Sequence, residues 1–167
     1  ENIVISITSL TLSNCISLQN LVLSNITTLT GTLNLIACTH LRKVYAGGTS
    51  LTQLVLPQGG GLELVEYSAY NQYVSLQNYP LITNDGVLVD FCKEKITDFF
   101  VVNCPLLKPM ELLSSIMAAQ ESQGSAHVLK HVRVVGFKEY HDNGDILDAL
   151  KQLADGTYMG LDSSGIA

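Results

Sequence analysis

Along the first half of this chain, two apolar residues separated by one spacer recur at nearly constant intervals: Leu10/Leu12, Leu21/Leu23, Leu33/Leu35, Val44/Ala46, Leu54/Leu56, Val65/Tyr67 and Val74/Leu76. Successive first members stand 11, 12, 11, 10, 11 and 9 residues apart. So short a period restricts the fold to stacked coils, because one unit is too small to bury its own apolar row and must lay it on a neighbour. Side chains alternate across a strand, so both members of a pair enter the interior while the residue between them faces out. Taken alternately, the pairs fall about 21 to 23 residues apart. That assigns Leu10/Leu12, Leu33/Leu35, Leu54/Leu56 and Val74/Leu76 to one side of the stack, and Leu21/Leu23, Val44/Ala46 and Val65/Tyr67 to the other. The stretch SITSLTLSNCISLQNLVLSNITTL, residues 6 to 29, is then one coil seen from both sides.

The fuller pattern IxxLxLxxCxxL at Ile7 to Leu18 returns as LxLxxCxxL at Leu33 to Leu41 and as IxxFxVxxCxxL at Ile96 to Leu107. On these motifs residues 7 to 107 resemble bacterial leucine-rich-repeat proteins, particularly short-coil, internalin-like forms. The resemblance implies an α/β fold: a leucine-rich-repeat-like solenoid of short parallel strands over 1–107, closed by a helix-containing C-terminal cap or junction over 108–167 within the same structural unit. Cys15, Cys38 and Cys104 each lie three residues after the second inward residue, the corner where such repeats bury an asparagine or cysteine, whereas Cys92 lies outside that register. The four thiols read as structural, since the closely spaced ligand pairs of a zinc site are missing.

The pattern changes at PQGGG, residues 57 to 61, a loop signal. Five of the seven tyrosines lie between positions 45 and 79. Tyr45, Tyr67, Tyr70 and Tyr73 are the candidate binding residues, because an exposed tyrosine offers a flat apolar face and a polar tip to a sugar or a protein. The competing reading makes several of the tyrosines wedges that fill a widened coil. Farther on, NDGVLVDFCKEK has the spacing of a short helix starting near Asn84 or Asp85. KPMELLSSIMAAQ, 108–120, predicts a helix with Pro109 in its first turn and Met110, Leu113 and Met117 on one face. VLKHVRVVGF reads as a strand with Val132 and Val134 inward and Arg133 outward, and NGDILDALKQLADG, 143–156, as a further helix.

Composition narrows the function. Charged residues make up 14% of the chain and the net charge is -6, with nine basic residues scattered, so the clustered basic surface that nucleic acid needs is missing. No apolar run is long enough to span a bilayer, and no segment reads as a signal peptide. The chain opens at Glu1, and a piece of a longer protein is expected. No nucleophile elbow, phosphate-binding loop or dinucleotide fingerprint occurs. His127 and His131 fall on a loop-to-strand segment, where a four-residue spacing does not converge on a metal. His141, Asp142 and Asp145 suit the start of a helix. Asn25-Ile26-Thr27 matches a glycosylation acceptor but sits at a coil turn. Catalytic residues, metal sites and cofactors are therefore expected to be none, and the chain is expected not to be an enzyme. The C-terminal run HVRVVGF with DILDALKQLADGTYMGLDSSG is similar to a segment that follows leucine-rich coils in large tail or surface proteins of gut phages. That likeness implies a binding or structural module of a phage tail or surface protein, at a virion or cell surface, contacting host protein, surface glycan or adjoining domains. A bacterial adhesin of internalin type, or a module targeting an enzyme domain, are the alternatives.

Overall fold

The computed structural model describes residues 6–123, 128–136 and 158–162. Ten strands and one helix follow in the order β1 (Asn20–Val22), β2 (Thr30–Asn34), β3 (Lys43–Tyr45), β4 (Ser50–Val55), β5 (Leu64–Glu66), β6 (Tyr73–Gln77), β7 (Val87–Leu88), β8 (Asp98–Val102), α1 (Pro109–Ser122), β9 (His131–Val135) and β10 (Tyr158–Asp162). Every strand pairing is parallel. Strands β1, β3, β5 and β7 form one sheet, while β2 with β4, and β6 with β8, β9 and β10, make up the other side. The architecture is a β-solenoid of about four turns, with two strands in each of the coils from β2 to β7 and helix α1 in place of the second strand after β8.

The alternating assignment made from spacing matches this register. Leu21 stands beside Val44, Val44 beside Val65, and Val65 beside Val87. On the other side Leu33 pairs with Leu54, and Val74 with Phe99 and then Val132. These rows meet in one continuous apolar core in which Leu33, Leu35, Val44, Val65, Val74, Leu76 and Phe99 are all but inaccessible. Leu10 and Leu12, in the first coil, are only partly covered.

Turn chemistry closes each coil. Asn14, Asn25, Asn78 and Asn103, each two residues after an inward leucine or valine, hold positive φ of 64°, 66°, 58° and 49°. Asparagine tolerates this left-handed region because its short side chain bonds locally. Gly48 and Gly136 occupy the equivalent corners with φ of 73° and 86°. A side chain there would collide with the asparagine one coil away: a Cβ on Gly48 would lie 2.5 Å from Asn25 Oδ1, and one on Gly136 2.1 Å from Asn103 Oδ1.

Residues 84 to 95 differ from the expected helix. They form 3₁₀ turns at Asn84–Gly86 and Lys93–Lys95 flanking β7. Val87 and Val89 enter the core and Leu88 is half-buried, which is strand alternation. Cys92 follows three residues after Val89, and its N–H donates to the Val89 carbonyl at 3.0 Å, as that of Cys38 donates to Leu35 at 2.9 Å. It therefore occupies the same corner register as the other thiols, but on the opposite side of the coil.

Helix α1 carries Pro109 in its first turn and buries Met110, Leu113 and Met117, the face its spacing predicts, together with Leu112 and Ile116. It packs on the 3₁₀ turn at Lys93–Lys95, and its Glu111, Leu112 and Ser115 line a groove with Val87 and Val89. Gln120 is 3% exposed and uses its whole amide: Nε2 donates to the carbonyls of Lys93 (3.0 Å) and Ile96 (2.9 Å), while Oε1 accepts from the N–H groups of Val128 and Leu129, both at 3.0 Å. That clamp ties the helix end to the entry of β9, where Val132 and Val134 point inward and Arg133 is half-buried. The sheet continues past the helix through β9 and β10. The helix expected over 143–156 lies outside the described residues, as do His127, His141, Asp142 and Asp145.

Candidate binding cleft

Hydrogen-bonded pairing on the second side stops between β4 and β6, which are not joined as strands although they belong to successive coils. Their ends remain tied: Gln72 N–H donates to the Thr52 carbonyl at 2.9 Å, and Gly59 N–H to the Gln77 carbonyl at 3.0 Å. Between these ties the coils part, leaving a cleft of about 140 Å³.

Two features of the sequence open it. Tyr79 takes the corner position that Cys15, Cys38 and Cys104 fill in other coils; it is 1% exposed and its hydroxyl donates to the Pro57 carbonyl. Tyr67, 2% exposed, stands where other coils carry Leu23 or Ala46. Phenol rings in place of a thiol and an aliphatic side chain need room, and a close-packed interior supplies it only by moving apart. Burial pushes both phenols above the ordinary tyrosine range, with Tyr79, Cys92 and Cys104 adding to the effect at Tyr67 and Cys104 at Tyr79. The second feature is a bulge. Leu51 pairs with Gly31 and Gln53 with Thr32, so Thr52 is an extra residue and β4 bends there. The bulge also lets both Leu51 and Leu54 face inward.

The cleft runs along the two strands. Gln53, Val55 and Pro57 form one wall and Tyr73, Ser75 and Gln77 the other; Leu54, Leu56 and Tyr79 make its floor. Thr32 Oγ1 donates to Gln53 Oε1 at 3.5 Å and Gln77 Nε2 donates to Ser75 Oγ at 3.3 Å, which orients both amides. Apart from the tyrosines, no ionisable side chain lines it. A second groove of about 300 Å³ lies between Leu10–Ser13 and β2, with Ile36 on the border of both.

Beyond the cleft, register rows continue across the outer face. Tyr73 stands beside Asp98 and Asp98 beside His131; the next row is Ser75, Phe100 and Arg133. Asp98 Oδ1 is 2.7 Å from His131 Nδ1, and Thr97 Oγ1 donates to Asp98 Oδ2 at 2.5 Å. Among the described residues no three His, Cys, Asp or Glu side chains gather to hold a metal ion. Burial pushes the Cys92 thiol up to about 12 and raises Cys104, so these groups stay protonated and are poor nucleophiles.

The four candidate tyrosines are not brought together. Tyr45 lies on the outer face of β3 in the first sheet, and Tyr73 on the outer face of β6 in the opposite one. Tyr67 is in the core, and Tyr70 is a corner residue, 52% exposed, with the Lys95 ammonium 6.0 Å from its ring centre. Of the four, Tyr73 alone reaches the cleft. Closeness in sequence spread them over the two sides of successive coils. Gln53, Gln77 and Asp98 stand in no motif, and His131 enters the sequence reading only with His127 as a metal pair that does not converge. The signal for them was the coil register itself, which places residues about 20 to 33 positions apart side by side.

No protein-family model matches the chain, and neither does a curated protein or a solved structure. Among the described residues no helix is long and apolar enough to cross a membrane.

Proposed function

We propose that this chain is a non-catalytic binding module, a stacked-coil spacer that presents one outer face to a partner within a larger tail or surface protein. The observation that carries the reading is the opening of the second sheet between β4 and β6. A solenoid that served only as a spacer gains nothing from interrupting its ladder, while an open cleft with a few convergent polar groups is the usual form of a ligand site. The repeat motifs and the likeness of the C-terminal run to phage tail and surface proteins support a place on a virion, with the partner on a host cell. An internalin-type adhesin or a targeting module would use the same face.

The test is saturable binding of the fluorescently labelled chain to a panel of intact bacterial and animal cells. Saturable binding that unlabelled protein displaces is expected for at least one cell type. Failure on every cell type, or hydrolytic turnover by the isolated chain, would overturn the reading.

A further inference from the structure

We infer that the cleft between β4 and β6 binds a neutral oligosaccharide chain lying parallel to the strands, an inference that rests on the binding-module reading and names its ligand. Three observations lead there. The first is electrostatic: the chain carries a net charge of -6, yet the cleft walls hold only amides, a hydroxyl and a phenol beside apolar groups. No cationic side chain lines the cleft to compensate a phosphate, sulfate or carboxylate, and a charged ligand would exchange its hydration for neutral donors alone. The second is the donor and acceptor inventory. Gln53, Gln58 and Gln77 each offer both a donor and an acceptor, as do the hydroxyls of Ser75 and Tyr73, and sugar hydroxyls have the same dual character. The third is shape and floor. The wall from Gln53 to Pro57 spans roughly 13 Å at the rise of a strand. Leu54 and Leu56 give an apolar floor on which the C–H face of a sugar ring can rest, with Tyr73 at the mouth for stacking.

An extended peptide is the competing occupant, but it would bring its own side chains and backbone to strands already tied at both ends of the gap. The cleft's lining favours a ligand that is polar all round and uncharged.

The experiment is titration calorimetry of the parent chain with cello-, malto-, chito- and mannohexaose, beside a heparin hexasaccharide and an oligogalacturonate as acidic probes. Binding of at least one neutral hexaose is expected. It should weaken at least tenfold in Gln53→Leu with Gln77→Leu and in Tyr73→Ala, and stay unchanged in Tyr45→Ala, which lies on the other sheet. Chemical-shift changes in the unmutated chain should centre on the amides of 53–58 and 73–77, which keeps the proposal testable should a variant misfold. Preference for the acidic probes, binding mapped elsewhere, or no binding at millimolar sugar would each overturn it. If cells are bound saturably while every sugar fails, the ligand assignment falls and the binding module stands; if cells are not bound either, both fall.

Discussion

Replacing Gln120 with methionine tests whether one buried amide holds the helix to the coil stack. The amide serves four backbone groups: two carbonyls, of Lys93 and Ile96, and two N–H groups, of Val128 and Leu129. Methionine keeps the length and loses all four bonds. A buried polar group left without a partner costs about 1–3 kcal/mol, more surely for an N–H than for a carbonyl with its second lone pair. Two orphaned N–H groups set the loss at about 2–6 kcal/mol, and the extra apolar burial of the thioether returns about 1 kcal/mol of it. The expected destabilisation is therefore about 1–5 kcal/mol, roughly 2 to 20 °C in Tm for a domain of this size. Thermal melts followed by circular dichroism measure the shift, and amide hydrogen exchange should show lost protection at Val128 and Leu129 before the core strands. Gln120→Glu adds a pH signature. Its carboxylate can still accept from the two N–H groups but faces two carbonyls with no hydrogen to offer, which raises its folded pKa. The stability of that variant should then be greatest at acid pH, where the carboxyl is protonated and donates once, and fall as pH rises. Gln123→Met is the control, because the exposed Gln123 side chain donates to the Glu94 carboxylate at 2.8 Å and serves no backbone group among the described residues; its effect should stay within about 0.5 kcal/mol. Equal melts for the Gln120 and Gln123 methionine variants would refute the clamp.

Three further outcomes follow from the stacking. Leu33→Asp places an unpaired charge in a fully buried column and should unfold the chain at room temperature, read by loss of the circular-dichroism strand signal; a parent-like melt would remove the column as the source of stability. Gly48→Ala should cost about 1–3 kcal/mol, because its corner has φ of 73° and its Cβ would meet Asn25, whereas Gly61→Ala, with open space around it, should be near neutral in urea titrations. Cys92 supplies an alkaline window: its folded thiol is pushed up to about 12 from an ordinary 9.0, so its contribution is complete below pH 9 and is lost as pH rises from 9 to 12. Urea titrations should show about 1 kcal/mol of this loss between pH 9 and 10, and Cys92→Ala should flatten that slope even though it lowers stability overall.

The coil period, the side taken by each strand and the inward row were legible in the sequence, because all three follow from a spacing of about eleven residues and the two-residue alternation of a strand. So was the corner role of Asn25, which needs only local backbone geometry. Val87 and Val89 escaped because β7 is two residues long and its flanking 3₁₀ turns lend the segment a helical spacing. Cys92 escaped with them, since its register cannot be counted until its strand is known. Gln120 reads in sequence as one more polar residue on a helix, and only the fold brings four backbone groups from both sides of it to a single amide.

The period by itself determined that the chain must stack coils, since an apolar pair every eleven residues has no other partner than the pair one coil away. What only tertiary structure decided is where the stack opens and which side chains stand there. That outcome depends on how two buried tyrosines and one bulged threonine are accommodated between neighbouring coils. Volume and bend are properties of the packed whole, so a linear pattern of apolar and polar letters does not contain them.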